Sequence, residues 1–122
     1  MRAVIDAINR GDVEAVLACT HADFEWRALE ESPLAGTHRG QTEVRAYLEE
    51  WFTTFGDVHL DIEELMDVNG HVLAVVRGSG WGKASGAEVT NRFCQLWTVS
   101  DGMPTRMREY ATREEAFAAA EA

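Results

Sequence analysis

Apolar residues recur at helical spacing three times before the middle of the chain. Val4, Ile5 and Ile8 mark a first short helix, which Gly11 stops. Asp12 is a good N-cap for a second short helix, with Val13, Val16 and Leu17 on its apolar side. The string DFEWRA at 23–28 alternates instead, with Phe24, Trp26 and Ala28 on one side and Glu25 and Arg27 on the other, and predicts a strand. Residues 29–40, with Pro33, Gly36 and Gly40, predict a loop. From 41 to 55 the pattern is helical again: Val44, Leu48, Trp51, Phe52 and Phe55 form one broad apolar face, and Gly56 ends it.

Beyond Gly56 the period changes to two. Strands are predicted over 58–68, 71–82, 87–99 and 105–111. Asn69–Gly70 and Asp101–Gly102 are the hairpin turns, and Gly86 lies in a third turn region. The closing TREEAFAAAEA predicts a helix capped by Thr112, with Glu115 at the capping-box position. Two short helices, a strand, a long helix and a four-strand antiparallel meander make an α+β fold. A curved, mostly antiparallel sheet wrapped around the long helix encloses a cone, and its open end is a pocket.

Composition narrows the function. The 122 residues predict one domain over 1–122, and 46% hydrophobic residues suffice for a small core. A net charge of −10, from 21 acidic and 11 basic residues, argues against nucleic acid as a partner. The absence of a basic amphipathic helix and of a long apolar run argues against a membrane. The N-terminal stretch has no continuous apolar segment, and Cys19 and Cys94 read as two reduced core thiols, so a cytoplasmic location is expected. No His/Cys cluster with ligand spacing occurs, so no metal and no cofactor are expected. The glycines at 78, 80 and 82 share a strand face, where they let the strand bend and leave room beside a ligand or helix.

The strings AINRGDVEAVLA at 7–18, DFEW at 23–26, GTHRGQTEVRAYLEEW at 36–51 and LWTVSDGMPTRMREYATREEA at 96–116 resemble, in this order, the SnoaL-like family. That family belongs to the nuclear-transport-factor-two-like, or cystatin-like, cone superfamily, which also contains ketosteroid isomerases and polyketide cyclases. The resemblance implies a cone fold, a small hydrophobic ligand and a homodimer. It does not carry over the known catalytic groups. The oxyanion-donating tyrosine and the general-base aspartate of ketosteroid isomerases fall on Val4 and Ala28, and their second oxyanion donor falls on Cys94. The acid–base aspartate of the cyclases falls on Thr112, which cannot act as a base near neutral pH.

The same alignment implies facing. With Ala28 and Cys94 directed into the cone, Trp26 joins them from its strand, Arg92 and Leu96 flank Cys94, and Met107 and Glu109 point inward from the last strand. Arg92 and Glu109 are then either a polar catalytic centre or a structural ion pair. His38 is either a titratable group at the pocket mouth or an aromatic substitute in a loop. Glu30 and Glu31 either reach back into the cavity or are solvated. The expected catalytic set is Glu109, Arg92 and His38. The expected ligand-binding set is Trp26, Leu48, Trp51, Phe52, Cys94, Leu96 and Met107. Phe93, Gln95, Trp97 and Val99 would form an outward stripe covered by a second subunit. The function expected is cofactor-independent acid–base chemistry on a small hydrophobic metabolite, of isomerase, cyclase or hydrolase type. The alternative is a noncatalytic ligand-binding or dimerisation module of the same fold.

Overall fold

The computed structural model describes residues 1–30 and 34–121. Helices α1 (Arg2–Asn9) and α2 (Val13–Ala18) form the expected pair, and the Asp12 side chain accepts from the Ala15 N–H at 3.0 Å to cap α2. Strand β1 (Glu25–Ala28) follows, then β2 (Gly36–Arg39), which falls within the stretch expected to be loop. Helix α3 (Gly40–Thr54) is the long helix. Strands β3 (Phe55–Val68), β4 (His71–Gly82), β5 (Glu88–Ser100) and β6 (Met103–Tyr110) form the meander, and α4 (Arg113–Glu121) closes it. The capping box at α4 forms: the Glu115 N–H donates to Thr112 Oγ1 at 3.2 Å.

The six strands make one sheet in the order β2-β1-β6-β5-β4-β3. All neighbours are antiparallel except β1 and β6. Asn69–Gly70 and Asp101–Gly102 turn their hairpins with positive φ at both residues, the conformation that suits the right-handed twist of the flanking strands. α1 is tied to β3 at Asn9, whose amide donates to the Leu60 carbonyl at 3.0 Å and accepts from the Leu60 N–H at 2.7 Å.

The sheet has two differently covered faces. Trp26, Ala28, Ala74, Val76, Phe93, Trp97 and Met107 pack against the first three helices in the main core. Leu73, Cys94 and Leu96 lie on the other face, beneath Ala116 and Ala120 of α4. β5 is therefore turned over relative to expectation. Phe93, Gln95 and Trp97 are buried inside the cone rather than forming an outward stripe, while Cys94 and Leu96 point away from the cone.

The cause is one extra residue in β6. Next to the turn, Ser100 pairs with Met103 and Val99 with Pro104; beyond it, Thr98 pairs with Arg106, which leaves Thr105 without a partner. Without that bulge the same turn would have set Cys94 opposite Glu109. With it, Gln95 stands opposite Glu109. Proline is at home in such a place because it has no N–H to give the ladder, and the Thr105 hydroxyl donates to the Thr98 carbonyl at 3.2 Å across the irregularity.

Candidate functional site

A cavity of about 280 Å3 opens between α3 and the inner face of the sheet. Val44, Tyr47 and Leu48 of α3 are buried, whereas Trp51 and Phe52, one turn on, are half-buried and line the cavity. β4 contributes Gly78 and Gly80, as the alternation of glycines led one to expect. A Cβ on Gly78 would stand 3.1 Å from Asn91 Oδ1 and 3.2 Å from the Phe93 ring, so the missing side chain keeps room at this wall. The cone is thus not a filled core.

At the floor stands Glu109. Its Oε1 accepts from the Leu29 N–H at 3.1 Å and its Oε2 from the Gln95 amide at 3.2 Å. Gln95 is fully buried, and its orientation is settled by the next link: the Trp97 indole N–H donates to Gln95 Oε1 at 3.1 Å. With its oxygen occupied by a donor, the amide can present only its NH2 to the carboxylate. The Trp26 N–H lies near enough to favour the charged form of Glu109, yet it makes no hydrogen bond of good geometry. The side chain is half-buried, standing between the cavity and a second, smaller pocket. Burial raises its pKa to about 7, against the opposing pull of the Gln95 and Leu29 donors. Burial, seconded by the nearby Glu109 carboxylate, also pushes the Tyr47 phenol well above its ordinary value, so the phenol is a neutral donor.

Glu109 has no cation partner among the described residues. Arg92 is directed to the outside of β5, where its guanidinium is bound by Glu63 at 2.8 Å. The expected Arg92–Glu109 pair does not form, because the register of β5 sends the two side chains to opposite faces. His38 pairs with Trp26 across β1 and β2 and stacks on Tyr47 with ring centroids 4.3 Å apart. It stands behind the phenol, not at the cavity surface, and its Nε2 is buried without a partner. Of the expected ligand-binding residues, Trp26, Leu48, Trp51 and Phe52 line the cavity. Met107 is fully buried below it, and Cys94 and Leu96 belong to the opposite face. Glu30 borders a second, polar pocket of about 90 Å3 on the far side of Glu109, and Glu31 lies outside the described residues. Sequence reasoning missed Gln95 and Tyr47 as site residues. The signal for Gln95 was Pro104, a bulge marker immediately before the strand expected over 105–111.

A family model described as a SnoaL-like domain matches residues 1–107. The chain belongs to the SnoaL-like family. Its fold is shared by solved structures across nearly the whole length. An NTF2-like protein from Burkholderia xenovorans is 29% identical, with 98% of this chain and 90% of that one aligned at a TM-score of 0.72. TerC, co-crystallised with polyporic acid, is 24% identical over 99% and 95% of the two chains, at a TM-score of 0.78. A hypothetical protein with a ketosteroid isomerase-like fold from Catenulispora acidiphila, solved in complex with trimethylamine, is 15% identical over 98% and 90%, at a TM-score of 0.80. No curated protein matches the chain. The SnoaL-like fold suggests small-molecule binding or cofactor-free catalysis. Among the described residues no helix is long and apolar enough to cross a membrane, and no group of side chains could hold a metal ion.

Proposed function

We propose that this SnoaL-like protein is a cofactor-independent acid–base catalyst for a small apolar, carbonyl-bearing compound, with the Glu109 carboxyl transferring the proton. One observation carries the reading: a carboxyl at the floor of an apolar cavity, with its pKa raised to about 7. A group poised near the working pH is substantially ionised yet still basic enough to take a proton. When a proton leaves the carbon beside a carbonyl, Glu109 accepts it and becomes neutral, and the negative charge moves to the carbonyl oxygen. The Tyr47 hydroxyl and the Asn91 amide are among the cavity-lining groups available to donate to that oxygen. His38 acts in this reading only through Tyr47, against which it stacks. Arg92 has no part in it.

The test uses 5-nitrobenzisoxazole, a flat apolar probe. Loss of its ring C–H proton to a base breaks the N–O bond and releases a coloured phenolate. The wild-type protein should open the ring at least ~100-fold faster than Glu109→Gln, the low end for a positioned base. Its rate should rise with pH through about 7. Equal rates in the two proteins would remove Glu109 from the chemistry.

A further inference from the structure

We propose that the cavity selects a small organic cation, a tertiary or quaternary alkylammonium, with Glu109 as its counter-ion and the surrounding rings as its wall. The inference rests on the cavity being a ligand site, not on proton transfer by Glu109. Trp26, Tyr47, Trp51, Phe52, Phe55 and Phe93 line the space. Four of these rings are continuous: Trp26 meets Tyr47 at 5.3 Å between centroids, Tyr47 meets Trp51 at 6.2 Å, and Trp51 meets Phe55 at 4.5 Å. Aromatic faces attract cations, and alkylated ammonium groups above all, because these are weakly hydrated and fit an apolar wall.

Charge decides between ligand classes. Among the described lining residues there is no lysine, arginine or histidine, and the ionisable groups are Glu109 and Tyr47. An anion would meet a carboxylate and no compensating cation. A neutral compound leaves the carboxyl to lose its charge by taking up a proton, which its raised pKa favours. An alkylammonium supplies the missing positive charge. Arg27, which lines the second pocket beyond Glu109, does not supply it: its guanidinium lies 4.8 Å over the Tyr110 ring. A net charge of −10 also draws cations towards the protein.

Other groups surround the carboxyl and must be separated from it in any pH series. Tyr47 faces it from α3. Arg27 from β1, Tyr110 from β6, Glu30 from the following loop and Glu115 from α4 ring the second pocket. His38 stands one ring away, behind Tyr47.

The experiment compares phenyltrimethylammonium with tert-butylbenzene, its uncharged carbon isostere, by calorimetric titration of the wild-type protein and Glu109→Gln. With a carboxyl that titrates at about 7, the cation should bind the wild-type protein roughly tenfold tighter at pH 8 than at pH 6. At pH 6 its binding should release close to one proton, seen as a dependence of the heat on buffer ionisation enthalpy. The isostere should bind no tighter at pH 8 than at pH 6 and should release no proton. Glu109→Gln should lose both the pH dependence and the proton release, which His38 and the outer carboxylates would leave in place if they were responsible. The wild-type pH series alone carries the test if the variant does not fold. Preference for the isostere at pH 8, or pH-independent binding of the cation, overturns the cation inference while leaving the ligand site standing. Failure of both compounds to bind overturns the inference and the ligand site together.

Discussion

Replacing Gln95 by Leu removes one donor from the Glu109 carboxylate and leaves the other, the Leu29 N–H, in place. A hydrogen bond to a charged group is worth about 1.5–3 kcal/mol, and one pKa unit corresponds to about 1.4 kcal/mol. The neutral acid also accepts from the amide through its carbonyl oxygen, so only the difference between the two protonation states counts. That places the expected rise at the low end, about one unit, above the starting value of about 7. The shift is read directly by titrating the carboxyl carbon of selectively labelled glutamate by NMR. The same upward displacement should appear in the pH profile of 5-nitrobenzisoxazole opening. Trp97→Phe provides an independent check, because it frees the Gln95 oxygen to turn towards the carboxylate and should also raise the pKa. A pKa that stays put or falls in Gln95→Leu would refute the donor chain as the control on Glu109.

Other outcomes follow from the same geometry. In the folded protein Glu109 binds its proton more tightly than in the unfolded chain, so stability should decline as pH rises from about 4.5 through about 7. The total is up to about 3 kcal/mol. Glu109→Gln should lack this decline, so its melting temperature should gain on the wild type between pH 5 and pH 8; parallel curves would contradict the raised pKa. Gly56→Ala should destabilise by about 1–3 kcal/mol in urea unfolding, because a Cβ there would stand 2.4 Å from the Trp81 ring. Thr112→Ala should cost about 1 kcal/mol by loss of the α4 cap, and an unchanged midpoint would show that α4 is held by its packing alone.

The elements were legible where local physics decides them. Asp12 and Thr112 cap helices as their chemistry requires, and the two turns at 69–70 and 101–102 adopt the conformations that Asn-Gly and Asp-Gly favour. β2 was hidden because GTHR carries no apolar alternation; it is an exposed edge strand formed by pairing with β1. Alternation put Met107 and Glu109 on one face and the family resemblance turned that face inward, but neither revealed the partner of Glu109. Facing within one strand follows from alternation, whereas facing between strands depends on register, and a bulge alters register without altering either pattern. Arg92, Cys94 and Leu96 were therefore assigned to the wrong side together, and Gln95 with them. Tyr47 escaped notice because its place in the α3 face, one turn before Trp51, is that of an ordinary core aromatic. Only the burial of its hydroxyl near Glu109 marks it out.

The unpaired Thr105 has a reach beyond its own position. It lies four residues from Glu109 and contributes no atom to the cavity lining, yet it dictates which neighbour the carboxyl meets across the sheet. Shortening the chain there by one residue would exchange an amide for a thiol opposite the acid while every side chain of the floor remained encoded. Among proteins of this architecture, the spacing between the last turn and the floor is thus a determinant of acidity in its own right. Two chains with the same cavity residues but unequal counts in that interval would hold different acids.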